Sequence, residues 1–239
     1  MKATNRKRLQ PKRGSDSKSK PRLFFRNEYP LTVLNWHREP EEEFGRYGLA
    51  FWRAAQSLLK NEQIDRFPGA DADGCMIVYL YRHSLELFMK GILLGPGREL
   101  MDEPMSSSTV LKGSHSLIKM LPALHSIFRE AGWDERFGPD LCLTFGDFSA
   151  IVKEFEDADP SGAGFRYPIQ INLDEHGNPK ASFEKSFSLC VRKFGKVMDE
   201  VLGVLAGATS ALPEIVNMRE EVAHEARCAD EENTGPGTF

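Results

Sequence analysis

Four ionisable residues, Arg82, His83, Glu86 and Lys90, lie close together within the longest apolar stretch of the sequence. Arg82 and Lys90 are each four positions from Glu86, so in a helix all three lie on one face. A carboxylate between two cations offsets the cost of burying charge. The same groups could also form one wall of a site. The pattern therefore predicts either a structural ion network, which is the more common use of buried charges, or part of a functional site.

A second candidate pair, Arg219 and His224, lies near the C-terminus with a separation of five positions. Histidine, with an ordinary pKa of about 6.5, can accept a proton from an RNA 2′-hydroxyl or donate one to a leaving oxygen. Arginine can stabilise negative charge on the phosphate in the transition state through two parallel hydrogen bonds. Positions five apart on a helix differ by about 140°, so this pair would line a groove. The same spacing also arises by chance on a solvent-exposed charged helix.

Other familiar chemistries have no sequence support. The chain contains no glycine-rich phosphate loop, no GxSxG motif and no HExxH motif. The remaining histidines in helices and turns, His37, His125 and His176, are more typical of surface or core positions than of metal ligands. We expect neither a metal nor a cofactor. The four cysteines form no CxxC pair and are interpreted as reduced packing residues.

Helical periodicity dominates the sequence and predicts an all-α fold. Residues 71–94 form the central helix, because apolar side chains surround most of its circumference. Proline followed by three glutamates predicts a helix start at Pro40. Further helices are predicted to start at Ser114, Pro139, Ser182 and Pro213, with a surface loop at 98–113. Pro122 implies either a kink in the helix from Ser114 or a later start.

Alternation replaces the helical period at only one place, residues 164–180. Ile169, Ile171 and Leu173 alternate with polar residues and are followed by a turn at 176–179. This pattern predicts a short extended or hairpin-like excursion from the helical bundle.

The N-terminal residues form a basic arm. Residues 1–22 contain nine Lys or Arg and one Asp, which gives this segment a formal charge of +8. The whole chain has a formal charge of −4, so the remaining residues carry −12. This composition predicts disorder. We expect contact with nucleic-acid phosphates through the most clustered cations, which are Arg6, Lys7, Arg8, Lys12 and Arg13. A solubilising tail and a localisation signal remain alternatives.

The chain is therefore predicted to contain three parts: the arm and an irregular lead-in at 1–38, a helical domain at 39–228, and a polar tail at 229–239. The N-terminal stretch lacks the apolar core of a signal peptide, and charges interrupt the apolar run at 71–94. We accordingly expect a cytoplasmic protein without a membrane span.

Three motifs occur in an order that resembles the HEPN superfamily. They are YRHSLEL followed by KGILL at 81–94, GSHSL at 113–117 and FRYP at 165–168. The resemblance covers roughly residues 44–227 and implies a compact helical bundle, often a homodimer. It adds His115, Arg166 and Tyr167 to the polar stripe formed by Arg82, His83, Glu86 and Lys90.

The spacing of Arg219 and His224 is similar to the R-x4-H ribonuclease motif of this superfamily. The resemblance implies an RNA-binding protein, with a metal-independent endoribonuclease of a toxin–antitoxin or phage-defence system as its catalytic form. A shared cleft in a homodimer would unite the pair, and an antitoxin or another protein could be a further partner. Glu220 and Ala226 stand where active members often carry a different polar residue and a tyrosine. A non-catalytic HEPN-like binding or assembly module therefore remains the alternative.

Overall fold

A computed structural model describes residues 40–60, 70–112, 115–135, 143–160, 162–173, 175–183 and 188–233. The predicted basic arm, including Arg6, Lys7, Arg8, Lys12 and Arg13, lies outside these residues. All described residues belong to one compact unit, residues 38–239.

The described chain is an all-α bundle with one small hairpin, as predicted. Its α-helices are α1 (Pro40–Leu59), α2 (Ala70–Leu94), α3 (Ser107–Lys112), α4 (Leu121–Glu130), α5 (Phe145–Ala158) and α6 (Val191–Asn233). Strands β1 (Ile169–Leu173) and β2 (Pro179–Ala181) pair in antiparallel fashion. This pairing confirms the hairpin expected within residues 164–180, which extends one residue further.

Helix α2 is buried on several sides, as its continuous apolar pattern predicts. Its fully or nearly fully buried side chains include Ile77, Val78, Tyr81, Leu85, Phe88, Met89, Ile92 and Leu93. Helices α1 and α6 pack against it and against each other. A Cβ added at Gly48 of α1 would lie 3.2 Å from the Phe88 ring, so the absence of a side chain there permits close helix packing.

A single carboxylate connects the three long helices. Asp199 of α6 accepts hydrogen bonds from Trp52 Nε1 at 2.6 Å, Gln56 Nε2 at 3.1 Å and the Tyr81 hydroxyl at 2.7 Å. Burial and the hydrogen bond to Asp199 raise the pKa of Tyr81, so this hydroxyl stays protonated and donates. Polar groups on α1, α2 and α6 are thereby satisfied inside the bundle.

Helix α6 corrects the prediction of a new helix at Pro213. Pro213 lies inside one continuous helix, although it lacks an N–H for the intrahelical bond. Leu212 and Val216 are buried on either side of it, so packing of this face outweighs the local cost. The helix continues to Asn233, which makes the first residues of the predicted polar tail helical.

Part of α6 is long and apolar enough to cross a membrane by length and composition alone. This is weak evidence for a span, because core helices of soluble proteins share these properties. Several of its apolar side chains are buried in the bundle, namely Val201, Leu202, Leu205, Ala208, Leu212 and Val216.

Three other helices begin later in the sequence than the first residue predicted for them, of which Ser114 and Pro139 lie outside the described ranges. The helix predicted from Ser114 begins at Leu121, with Pro122 in its first turn, which is the later start rather than a kink. The helix predicted from Pro139 begins at Phe145, where Thr144 and Asp147 form a capping box. The residues around Pro139 are outside the described ranges. The helix predicted from Ser182 begins at Val191. Phe183 packs against Phe165 beside the hairpin, and residues 184–187 lie outside the described ranges.

Two smaller features also differ from expectation. The predicted loop at 98–113 contains the short helix α3 and the end of a 3-10 helix at Pro96–Leu100. Cys75, Cys190 and Cys228 are free thiols at the surface rather than packing residues. They lie on the solvent-facing sides of α2 and α6 or just before α6.

Candidate functional site

The polar stripe of α2 contains a buried carboxylate, that of Glu86, with cations on both sides of it. Glu86 Oε1 lies 2.7 Å from Lys90 Nζ and 3.0 Å from His115 Nδ1. Its other oxygen, Oε2, lies 3.6 Å from Arg82 Nη1. Both ion pairs predicted from the four-residue spacing are present, and all three side chains of α2 are buried. Two cations and one carboxylate leave this buried set with one excess positive charge.

The protonation state of Glu86 determines the tautomer of His115. Burial alone would raise the pKa of Glu86, but the hydrogen bonds and charges of Lys90 and His115 outweigh it and lower that pKa. Glu86 is therefore an ionised acceptor at neutral pH, so His115 must donate from Nδ1. The other ring nitrogen, Nε2, has no partner among the described residues, and the His115 side chain is 49% exposed.

Helix α5 positions two loop segments that complete the Glu86 cluster, the group formed by Arg82, Glu86, Lys90, His115 and Arg166. Glu156 accepts hydrogen bonds from the Ser116 hydroxyl and from the Leu117 backbone N–H, the latter at 3.1 Å. These bonds anchor the turn that carries His115. One helical turn away in the sequence, Asp159 accepts from the backbone N–H groups of Gly164 at 2.9 Å and Phe165 at 3.4 Å. Asp159 thereby anchors the segment that carries Arg166.

Gly162 brings this second segment into contact with the cluster. Its φ is +68°, and a Cβ there would lie 2.7 Å from Arg82 Nη1 and 2.8 Å from His115 Cβ. Only glycine can adopt this left-handed conformation and fit this narrow space without strain. Arg82 also donates from Nη2 to the His115 backbone carbonyl at 2.7 Å, so α2, the His115 turn and the Gly162 loop meet at one guanidinium.

Arg166 lies between two tyrosines at the edge of the cluster. Its guanidinium carbon is 5.8 Å from the Tyr79 ring and 5.5 Å from the Tyr167 ring, a distance suited to cation–π attraction. Its Nε is buried and has no hydrogen-bond partner within the described chain. No ion pair of Arg166 is found there either. Tyr167 is 50% exposed, so a cation and an aromatic ring are available together at the surface.

His83 belongs to the aromatic side of the cluster rather than to its ion pairs. Its ring stacks on Tyr79 at 5.7 Å and meets the edge of Phe51 at 4.4 Å. Burial lowers the pKa of His83, and Arg166 adds to this effect, against the opposing attraction of Glu86. His83 is therefore neutral at neutral pH and contributes packing rather than charge.

The structure separates the second candidate pair from this cluster. Arg219 Nη2 lies 2.6 Å from the Glu130 carbonyl and 3.2 Å from its carboxylate, at the end of α4. His224 Nδ1 lies 3.4 Å from Cys228 Sγ. Both residues are exposed on the last turns of α6, and neither of their partners belongs to the polar stripe. Within one described chain, Arg219 and His224 share no contact.

Metal binding has no support within the described residues, where no group of three or more His, Cys, Asp or Glu could hold a metal ion. The chemistry available is instead that of positive charge, hydrogen-bond donors and one oriented imidazole. Such a set is suited to an anion, and to proton transfer next to it.

Several residues of the cluster were not predicted from sequence. Glu156 and Asp159 lie three apart near the end of a helix, which resembles an ordinary polar face, and Gly162 follows a Pro-Ser pair typical of any turn. Tyr79 has no sequence signal beyond its position three residues before Arg82. A signal did exist for Gly162, since a glycine two residues after a proline can indicate a left-handed position.

Comparisons with known proteins add no further information. No family model matches this sequence, and searches of curated proteins and of solved structures each return no match.

Proposed function

We propose that this chain is a cytoplasmic HEPN-like RNA-binding protein that holds RNA at the Glu86 cluster. The observation that carries the proposal is the convergence of three motifs that are far apart in the sequence. Arg82, Glu86 and Lys90 come from α2, His115 from a turn 29 residues after Glu86, and Arg166 from the loop before the hairpin. This convergence favours a site over three unrelated structural features.

The chemistry of the cluster supports a nucleic-acid ligand. Guanidinium groups bind phosphate through paired N–H donors, and the buried Nε of Arg166 has no hydrogen-bond partner among the described residues. Exposed aromatic rings such as Tyr167 can stack on unpaired bases, which favours a single-stranded ligand. The acidic composition outside the arm makes a broad electrostatic surface for duplexes a weaker alternative.

The proposal is tested by fluorescence anisotropy with a labelled single-stranded RNA at several salt concentrations. Arg166→Ala should weaken binding by about tenfold and reduce the salt dependence by nearly one phosphate contact. Arg98→Ala provides a matched control, because Arg98 is an exposed arginine in the 3-10 helix that follows α2. Failure of the wild-type protein to bind RNA, or equal binding by Arg166→Ala and wild type, would overturn the proposal.

The RNA-binding protein could in addition cleave RNA, as a metal-independent endoribonuclease of a toxin–antitoxin or phage-defence system. Arg219 and His224 would then be its catalytic residues. The five-residue spacing supports it, and a homodimer would supply the second half of the cleft. Cleavage of RNA in EDTA by the wild type, compared with Arg219→Ala and His224→Ala, tests it. Undiminished cleavage by both variants would exclude this pair.

The second candidate function is a non-catalytic binding or assembly module. It is favoured by the contact of Arg219 with Glu130, because a carboxylate beside Arg219 repels an approaching phosphate. Under this alternative the partner is another protein, such as an antitoxin, and affinity purification of the tagged full chain would recover that protein without RNA.

A further inference from the structure

We propose that His115 is a catalytic general base that acts on RNA held at the Glu86 cluster, a site distinct from Arg219 and His224. This inference rests on the proposed RNA binding and adds a reaction to it. The proposed chemistry is transesterification of an RNA phosphodiester, which requires no metal.

The imidazole of His115 has a fixed orientation. The Glu86 carboxylate accepts from Nδ1 at 3.0 Å, which fixes the ring and leaves the lone pair on Nε2. A buried carboxylate that holds one nitrogen of a half-exposed histidine is the arrangement that general-base catalysis requires. A purely structural histidine would more commonly have both nitrogens satisfied or buried.

Several side chains hold Glu86 and the His115 turn in place. Glu86 is held by Lys90 and Arg82, and the backbone of the His115 turn is held by Arg82 and Glu156. Four side chains from two helices thus determine the position of one ring. Such support maintains the geometry that proton transfer needs.

Arg166 supplies a cation near His115. Its guanidinium lies over the Tyr79 ring at 5.8 Å, and a Cβ added at Gly162, in the same segment, would lie 2.8 Å from His115 Cβ. Arg166 and His115 therefore border the same part of the cluster. A phosphate bound by the Arg166 guanidinium would have its developing negative charge stabilised there. Tyr167 would stack on the adjacent base.

The proposed transesterification begins with a proton transfer to His115. Nε2 of His115 accepts the proton of a 2′-hydroxyl, and the 2′-oxygen forms a bond to the adjacent phosphorus. The bond from phosphorus to the 5′-oxygen breaks, and the leaving oxygen takes a proton from water. The products are a 2′,3′-cyclic phosphate and a 5′-hydroxyl, and the hydroxide formed neutralises protonated His115.

The test is cleavage of a fluorescent single-stranded RNA in EDTA by the full chain, with binding measured separately on a 2′-deoxy analogue that cannot react. His115→Ala should lower the cleavage rate at least about 100-fold and retain binding. Added imidazole should restore part of the rate. His115→Asn keeps a donor for Glu86 and lacks Nε2, so it should be folded and equally inactive.

Two further variants separate the possible roles. Glu86→Gln, assayed below its melting temperature, should lower kcat with little change in KM, because Glu86 positions His115 without touching RNA. His176→Ala is the matched control, since His176 is an exposed histidine in the hairpin turn, and it should cleave as wild type does.

The outcomes distinguish this inference from the proposed function. Binding without any cleavage by the wild type overturns the catalytic role of His115 and leaves RNA binding intact. Cleavage that persists in His115→Asn also overturns it, and loss in His224→Ala would then assign the reaction to the other pair. Absence of RNA binding overturns both proposals.

Discussion

Glu86 and His115 share a hydrogen bond of 3.0 Å between Oε1 and Nδ1, although 29 residues separate them in the sequence. One residue is buried and the other is half exposed. The bond therefore connects the interior ion network of α2 with the surface.

The structural role of Glu86 predicts a large loss of stability when it is truncated. Glu86→Ala removes the partner of two buried cations, and the free energy of unfolding should fall by about 3 kcal/mol. Chemical denaturation followed by circular dichroism would measure this change. Glu220→Ala is the control, because Glu220 is exposed on α6, and its effect should stay within about 0.5 kcal/mol. Equal stability of the two variants would contradict the buried-network interpretation.

The half-buried His83 predicts a pH dependence of stability. Burial, as the largest cause, lowers the pKa of His83 below its ordinary value of 6.5 in the folded state. The unfolded chain therefore binds this proton more readily, and His83 contributes stability that is present above pH 6.5 and decreases as the pH falls through the lowered value. Unfolding free energies measured from pH 7.5 to 5 should fall less steeply in His83→Gln than in wild type.

His176→Gln is the matched control for this measurement, because the His176 side chain is 75% exposed. Its pH profile should follow that of the wild type. A His83→Gln profile as steep as the wild-type profile would assign the decrease to other groups.

The glycine at the centre of the cluster provides a geometric test. Gly162→Ala should cost about 1–2 kcal/mol for the left-handed backbone and more for the Cβ, which would lie 2.7 Å from Arg82 Nη1. Gly177→Ala is a close control, since Gly177 has a φ of +77° and nothing within 4 Å of an added Cβ. Thermal denaturation should give a lower Tm for Gly162→Ala, and equal values would contradict the contact with Arg82.

Much of the fold follows from local pattern, and the exceptions have physical causes. The buried helix α2 and the hairpin were predictable because apolar periodicity reports which faces are covered. Pro213 was misinterpreted because burial of Leu212 and Val216 depends on distant helices. The ion pairs of Glu86 followed from spacing within one helix. The bond from His115 and the anchoring role of Asp159 did not, because both depend on how separate segments meet.

Photocrosslinking shows whether RNA lies at the Glu86 cluster. A 4-thiouridine-substituted single-stranded RNA would be irradiated with the full-length protein, and the crosslinked peptides would be identified by mass spectrometry. RNA held at the cluster should give crosslinks at Tyr167 and His115 that disappear in Arg166→Ala. Crosslinks confined to residues 1–22, or to the end of α6 around His224, with none at the cluster, would contradict it.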